Sequence, residues 1–210
     1  MQENLPRKVV QDCLHCNPAS FAFETLLETT ANFFTVCDAN PIVEGHVLII
    51  PKAHISCVGG YSSELFKEFA ELNEKVSHFL NTQHGVCSSF EHGKLGQTVF
   101  HSHVHYLPFR GNAADIVPEG MQTLTKLLRI EDVQDIFRER GGYLYFSIGE
   151  EKWVVAPALA APGFFRDRFA RALGKPERGD WKKVRADAEL RAMSEKYNTA
   201  TQERWRKFVV

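Results

Sequence analysis

Three histidines stand at alternate positions in the stretch GQTVFHSHVHYLP: His101, His103 and His105. Imidazole can act as nucleophile, proton carrier or metal ligand near neutral pH. In a β-strand side chains alternate between faces, so these three rings would share one side while Ser102 and Val104 point to the other. A helix would scatter them, and the flanking Thr98, Val99, Phe100, Val104 and Tyr106 favour a strand. Three imidazoles on one face are costly to bury without partners. Two chemistries answer that cost. The three could bind one zinc and leave a fourth position for water. Alternatively, one is a nucleophile that the others orient. Gly96 permits close backbone approach, and Gln97 and Thr98 offer donors beside the strand. That suits a phosphate held against an imidazole without excluding zinc.

A second group of metal-type residues lies upstream. Cys13 and Cys16 form a CxxC, which is either a pair of buried thiols or half of a zinc site that needs two more ligands. His15 between them could compete as a ligand, but the geometry of adjacent residues disfavours it. Five cysteines and no secretion signal argue against a disulfide framework. Cys37 and Cys87 sit in apolar runs and read as core thiols. His92 and Lys94 in FEHGK read as phosphate contacts or as exposed loop residues.

The elements that must position these groups are legible in outline. NFFTVCDANP and GHVLIIPKAH read as neighbouring strands joined by a turn, the second stopped by Pro51. SSELFKEFAELNEKVSHFLNTQHG is the clearest helix, capped by Ser62 or Ser63 and closed by His84–Gly85. Leu65, Phe69, Leu72, Val76, Phe79 and Leu80 share its apolar face. VCSSFEH and TVFHSHVHYLP predict two further strands, so the first part is α+β over an antiparallel sheet. GNAADIVPEG reads as a linker. Beyond it, MQTLTKLLRI and EDVQDIFRER predict short helices, YLYFSIGEEKWVVA a hairpin turning at Gly149–Glu150, and FFRDRFARAL a helix. A long final helix carries Leu190, Met193, Tyr197 and Trp205 toward the body. The expected division is residues 1–110 as the first domain and 111–210 as a C-terminal α/β extension.

The chain has 210 residues, 44% hydrophobic and 24% charged, enough for one core or one core with a small second module. No apolar run approaches the roughly 20 residues that span a bilayer, and MQENLPRKVVQDC lacks a signal-peptide hydrophobic region, so a cytoplasmic location is expected. The net charge is −1, but Arg166 to Phe208 holds 13 Lys plus Arg against 7 Asp plus Glu, a net of +6 that leaves −7 for the remainder. Such a segment is either a solvated helical face or a surface for polyphosphate or nucleic acid.

GQTVFHSHVHYLP resembles the histidine-triad (HIT) signature, H-x-H-x-H followed by apolar residues and preceded by G-Q-[ST]-V. CDANPIVEGHVLIIPKAHI resembles that family's upstream segment, an acidic residue in a turn and then G-H-x-L-x-x-P-K-x-H. Order and spacing match across about Cys13 to Arg110. The resemblance implies a nucleotide-binding hydrolase or transferase acting at the α-phosphorus. His103 would be the nucleophile that forms a covalent nucleotidyl-histidine, His105 and His46 its supports, and His101 the remaining triad member. Gln97 and Thr98 would hold phosphate or leaving group, Asp38 the ribose hydroxyls, and Phe33, Phe34 or Val36 the base. Some histidine-triad proteins, and the related galactose-1-phosphate uridylyltransferases, hold a structural zinc on residues matching Cys13, Cys16, His54 and His101. FFRDRFARALGKPERGDWKK resembles, over a short span, the C-terminal region of CwfJ-like proteins, which are linked to RNA processing. The other reading is a nucleotide- or RNA-binding module with little catalysis. The expected partner is a nucleotidyl small molecule, with nucleic acid at the basic segment and oligomerisation as further possibilities and no membrane.

Overall fold

The computed structural model describes residues 9–210. In chain order the elements are β1 (Leu26–Thr29), β2 (Phe33–Cys37), β3 (Val47–Pro51), α1 (Ser63–His84), β4 (Ser88–Gly93), β5 (Val104–Leu107), α2 (Ala113–Ile116), β6 (Leu124–Leu127), α3 (Val133–Arg140), β7 (Tyr143–Ile148), β8 (Glu151–Val155), α4 (Phe164–Ala172), α5 (Trp181–Ala186) and α6 (Ala188–Phe208). The strands form one sheet in the order β1-β2-β3-β5-β4-β7-β8-β6. Neighbouring strands pair antiparallel throughout. The α+β class and the long helix α1 agree with the sequence reading.

Helix α1 forms as its caps dictate. The Ser62 side chain accepts from the Leu65 amide, and Gly85 ends the helix in the left-handed region at φ 74°. The apolar stripe from Leu65 to Leu80 packs on one sheet face against Phe33, Val47, Ile49, Val104 and Tyr106. On the other face Phe90, Leu107, Phe146 and Trp153 meet Phe164, Phe165 and Phe169 of α4. On β5, Val104 and Tyr106 face α1, so the strand's period of two turns His105 and Leu107 toward α4. That alternation decides where the site lies.

Strand β7 joins β4 along Ser88–Gly93, so strands before and after residue 110 share one sheet. Three local expectations change. Residues 124–127 are a strand, not a helix: Leu124 to Leu127 complete the ladder of β8 from Val155 to Lys152, and that open edge outweighs the modest helix propensity of LTKL. The histidine strand begins only at Val104. Its expected first half is drawn off the sheet, because the Ser102 amide donates to Ile55 O at 2.6 Å. The buried stripe of α6 is Ser194, Asn198, Thr201 and Trp205, while Met193 is exposed. Polar side chains face inward there because they meet backbone groups. Asn198 Nδ2 donates to Asp38 O at 3.1 Å, and Thr201 Oγ1 accepts from the Gly45 amide at 2.9 Å.

Candidate active site

The turn from Asp38 to His46 is closed by the Asp38 amide donating to His46 O at 2.9 Å. It delivers His46 to the edge of β3, opposite β5. The His46 Nδ1 accepts from the Ile42 amide at 3.1 Å, so the ring's proton is on Nε2. That Nε2 lies 2.9 Å from His105 Nδ1 and donates to it. His105 therefore carries its own proton on Nε2 and presents it as a donor. Phe90 stacks on the His105 ring at a centroid distance of 4.2 Å and fixes its plane. Burial holds both rings neutral: His46 falls to about 4, and His105 falls well below the ordinary histidine value.

His103 is set by a different contact. Its Nδ1 lies 2.7 Å from His101 O, which can only accept, so Nδ1 carries the proton and Nε2 keeps its lone pair. The ring lies 5.0 Å from that of His105. Burial lowers its pKa too, against the raising effect of the His101 carbonyl and Asp38. A neutral imidazole with one tautomer and an open Nε2 is the form a nucleophile needs. Between His101 and His103, Ser102 turns the opposite way and donates to Glu91 Oε1 at 2.8 Å. Glu91 also accepts from the Val58 amide and from Tyr143, which anchors the loop beneath the histidines. Burial pushes Glu91 up to about 7 against these hydrogen bonds.

Asp38 lies below the rings. Its Oδ2 is 2.8 Å from Arg166 Nη1, 3.5 Å from His46 Nε2 and 3.6 Å from His105 Nδ1. Its Oδ1 accepts from the Asn40 amide at 2.8 Å. Burial alone would raise this carboxyl, but Arg166, His46 and the Asn40 amide hold it at about 2. Arg166 comes from α4 and is itself buried; its other Nη donates to Asn40 O. Both Asp38 oxygens are thus engaged within the protein.

The third triad histidine faces elsewhere. His101 Nε2 donates to Pro51 O at 2.7 Å, which leaves the Nδ1 lone pair 3.5 Å from the Sγ atoms of both Cys13 and Cys16. Cys16 Sγ is 3.3 Å from His54 Nδ1. Four ligand atoms, two sulfur and two nitrogen, lie within 4.8 Å of one another. Ligands about 2.0–2.3 Å from a tetrahedral zinc are separated by distances of this size, so the set fits that ion. Among the described residues the candidate metal groups divide the triad, His101 with the cysteines and His105 with Asp38 and His46. A single ion on all three is not the arrangement.

A cavity of about 450 Å³ is lined by His103, whose Nδ1 is held by the His101 carbonyl. Its histidine end includes His105, His92 and Thr98, with Arg166 in the wall. His92 is buried, not an exposed loop residue; its Nε2 accepts from the Phe165 amide at 3.3 Å, and burial takes it to about 3. Gln97 turns away, donating to Ser56 O at 2.6 Å. Phe33 and Val36 are fully buried in the core and Phe34 packs on Phe23, so these residues do not form the cavity wall. Gly96, at φ 72°, approaches the connector before α4 so closely that a Cβ would lie 2.3 Å from Ala161 O.

Sequence reasoning missed four contributors. His15, set aside as a competing ligand, turns from the cysteines into the cavity, its ring 4.8 Å from that of His103. Its Nδ1 is buried without a hydrogen-bond partner. Arg166 and Trp181 come from far along the chain; both lie in the stretch that resembles CwfJ-like proteins, but that resemblance assigned neither to this site. Glu91 did leave a signal, a carboxylate between Phe90 and His92 in a segment read as a strand.

Comparisons with known proteins bear on the family of this chain. The family model described as HIT domain matches residues 23–112. The chain is 30% identical over 103 residues to "Protein hit" of Bacillus subtilis (strain 168), covering 42% of this chain and 71% of that protein. It is 30% identical over 84 residues to Bis(5'-adenosyl)-triphosphatase of Dictyostelium discoideum, covering 38% of this chain and 56% of that protein. A solved structure of a HIT family member from Bacillus subtilis aligns at 22% identity and a TM-score of 0.42, covering 62% of this chain and 97% of that one. The matched span contains the whole triad with His46 and Asp38, and the Bacillus relative is matched over most of its length: the chain belongs to the HIT domain family.

Proposed function

We propose that this protein is a nucleotidyl hydrolase or transferase that works through a covalent intermediate on His103. The observation that carries the reading is the His103 tautomer, with Nδ1–H on His101 O and Nε2 open to the cavity. The Nε2 lone pair attacks the α-phosphorus, the bond from phosphorus to the leaving oxygen breaks, and the leaving group takes that electron pair. The imidazole, now cationic, keeps its Nδ1 proton on the carbonyl, which stabilises the charge. His105 Nε2–H is placed to donate to a phosphoryl oxygen. Water, or another acceptor hydroxyl, then attacks phosphorus and releases its proton to solvent; the P–N bond breaks and its electrons return to Nε2. The triphosphatase name of the Dictyostelium relative is consistent with such a substrate.

Zinc fits the site of Cys13, Cys16, His54 and His101, where it would supply structural cross-linking. These ligands hold the His101 ring, and with it the carbonyl that orients His103. The small nucleotidyl substrate is favoured over a nucleic acid by the cavity that His103 lines, and five of the thirteen basic residues of the C-terminal segment are already engaged. Arg166, Arg168, Arg171 and Arg204 are in ion pairs, and Arg178 is buried.

Incubation with a panel of adenylylated and guanylylated compounds should leave a nucleotidyl adduct on His103, located by peptide mass spectrometry. His103→Ala should lose at least ~10³-fold in turnover while nucleotide binding persists. Full turnover by that variant would sink the mechanism.

A further inference from the structure

The cavity runs from the histidines to an aromatic wall that the family match does not include. Trp181 opens α5 just after its capping residue Asp180, and Phe21 lies in a 3₁₀ turn before β1. Both line the cavity, with ring centroids 6.1 Å apart and planes inclined at 35°. Leu14, Ala22, Leu48 and Val99 continue the apolar side. Arg185 lies over Phe21, its guanidinium carbon 3.7 Å from the ring centroid, and Lys182 Nζ is 5.7 Å from the indole. The chain's other two tryptophans, Trp153 and Trp205, are only 4% and 2% exposed and belong to the cores. Trp181 alone of the three borders the cavity.

We propose that Trp181, backed by Phe21, is the nucleobase subsite, with the base stacked against the indole and the α-phosphate carried to His103. The inference rests on the nucleotidyl reading above. A ligand that carries both an aromatic plane and a phosphate matches a cavity lined by both an aromatic wall and neutral imidazoles. The base candidates Phe33, Phe34 and Val36 are committed to packing. Asp38 lines the same cavity, with Oδ2 accepting from Arg166 Nη1 and Oδ1 from the Asn40 amide. Stacking is tolerant of base identity because every base has a π-face, so the subsite predicts acceptance of both purines. Lys182, itself in the cavity lining, and Arg185 place positive charge beside the aromatic wall.

The test uses the full chain and AMP, GMP and ribose 5-phosphate as probes, with Kd from calorimetry and tryptophan emission read in parallel. AMP and GMP should quench emission, and ribose 5-phosphate should not. Trp181→Leu should remove the quench and weaken AMP roughly ten- to hundredfold, with ribose 5-phosphate unchanged. Trp181→Phe should lose the quench but keep most of the affinity. AMP binding at wild-type Kd in Trp181→Leu overturns the subsite while leaving the role of His103 intact, because adduct formation is measured separately. Failure of every nucleotide to bind the wild-type protein overturns both.

Discussion

Asp38 illustrates how much a single residue depends on distant partners. In sequence it is an acidic turn residue that the resemblance assigns to ribose. In the fold its carboxylate meets Arg166, 128 positions away, and lies beneath two imidazoles. Removing one partner of a buried pair strands the other charge, at about 3–5 kcal/mol. Arg166→Met should therefore destabilise by that order in urea denaturation, and adding Asp38→Asn should recover part of the loss. The pH sign follows from the depressed pKa. Asp38 moves from 3.8 to about 2 in the native state, so its stabilisation is complete above about 3.8 and is lost as pH falls through about 2. Without Arg166 the acid transition should shift to higher pH. Equal stability and an unmoved acid limb in Arg166→Met would show that the pair contributes nothing. The triad types and spacing were plain in the sequence. Their tautomers were not, because carbonyls and amides from other segments fix them.

The element that most repays a test is the short turn carrying Cys13, His15 and Cys16. Its Cys16 amide donates to Cys13 O at 3.0 Å, which turns both thiols toward His54 and His101. The residue between them is sent the other way, into the cavity. Cys13→Ser combined with Cys16→Ser should abolish bound zinc by elemental mass spectrometry, with the triad intact, and should lower Tm. Zinc retained at wild-type stoichiometry in that variant would show that the ion is held elsewhere. Helix α1 was readable almost residue by residue, since its stripe and caps are local properties. Helix α6 was misjudged because its inward face is polar, and only the backbone groups of the turn it covers make that face a buried one. Strand β6 was missed for a similar reason: four residues took the state that the edge of β8 offered.

At the scale of the whole molecule, the C-terminal half is joined to the first by structure as well as by chain. β7 pairs with β4 through six residues, α4 supplies Arg166 and the phenylalanines that cover Phe90, and Arg178 is buried with Nε donating to Pro41 O at 2.6 Å. A fragment of residues 1–110 would bare the edge of β4 and an apolar sheet face. It should lack a cooperative thermal transition and near-ultraviolet circular dichroism. A sharp calorimetric transition in that fragment would instead establish it as an independent domain.

The sequence by itself determined the chemistry available: the alternating histidines, the cysteine pair, the capped apolar helix and the family to which these motifs belong. Residue type and short-range periodicity are enough for that, because a side chain's reactivity and a helix's stripe are local. The tertiary structure alone decided how the chemistry is divided. It split His101 from His103 by lifting the loop off the sheet at Ser102. It closed Asp38 with Arg166 and brought Trp181 to the cavity that His103 lines. Such pairings join residues as much as 128 positions apart, and burial makes them strong by removing the water that would otherwise compete for each charge and donor.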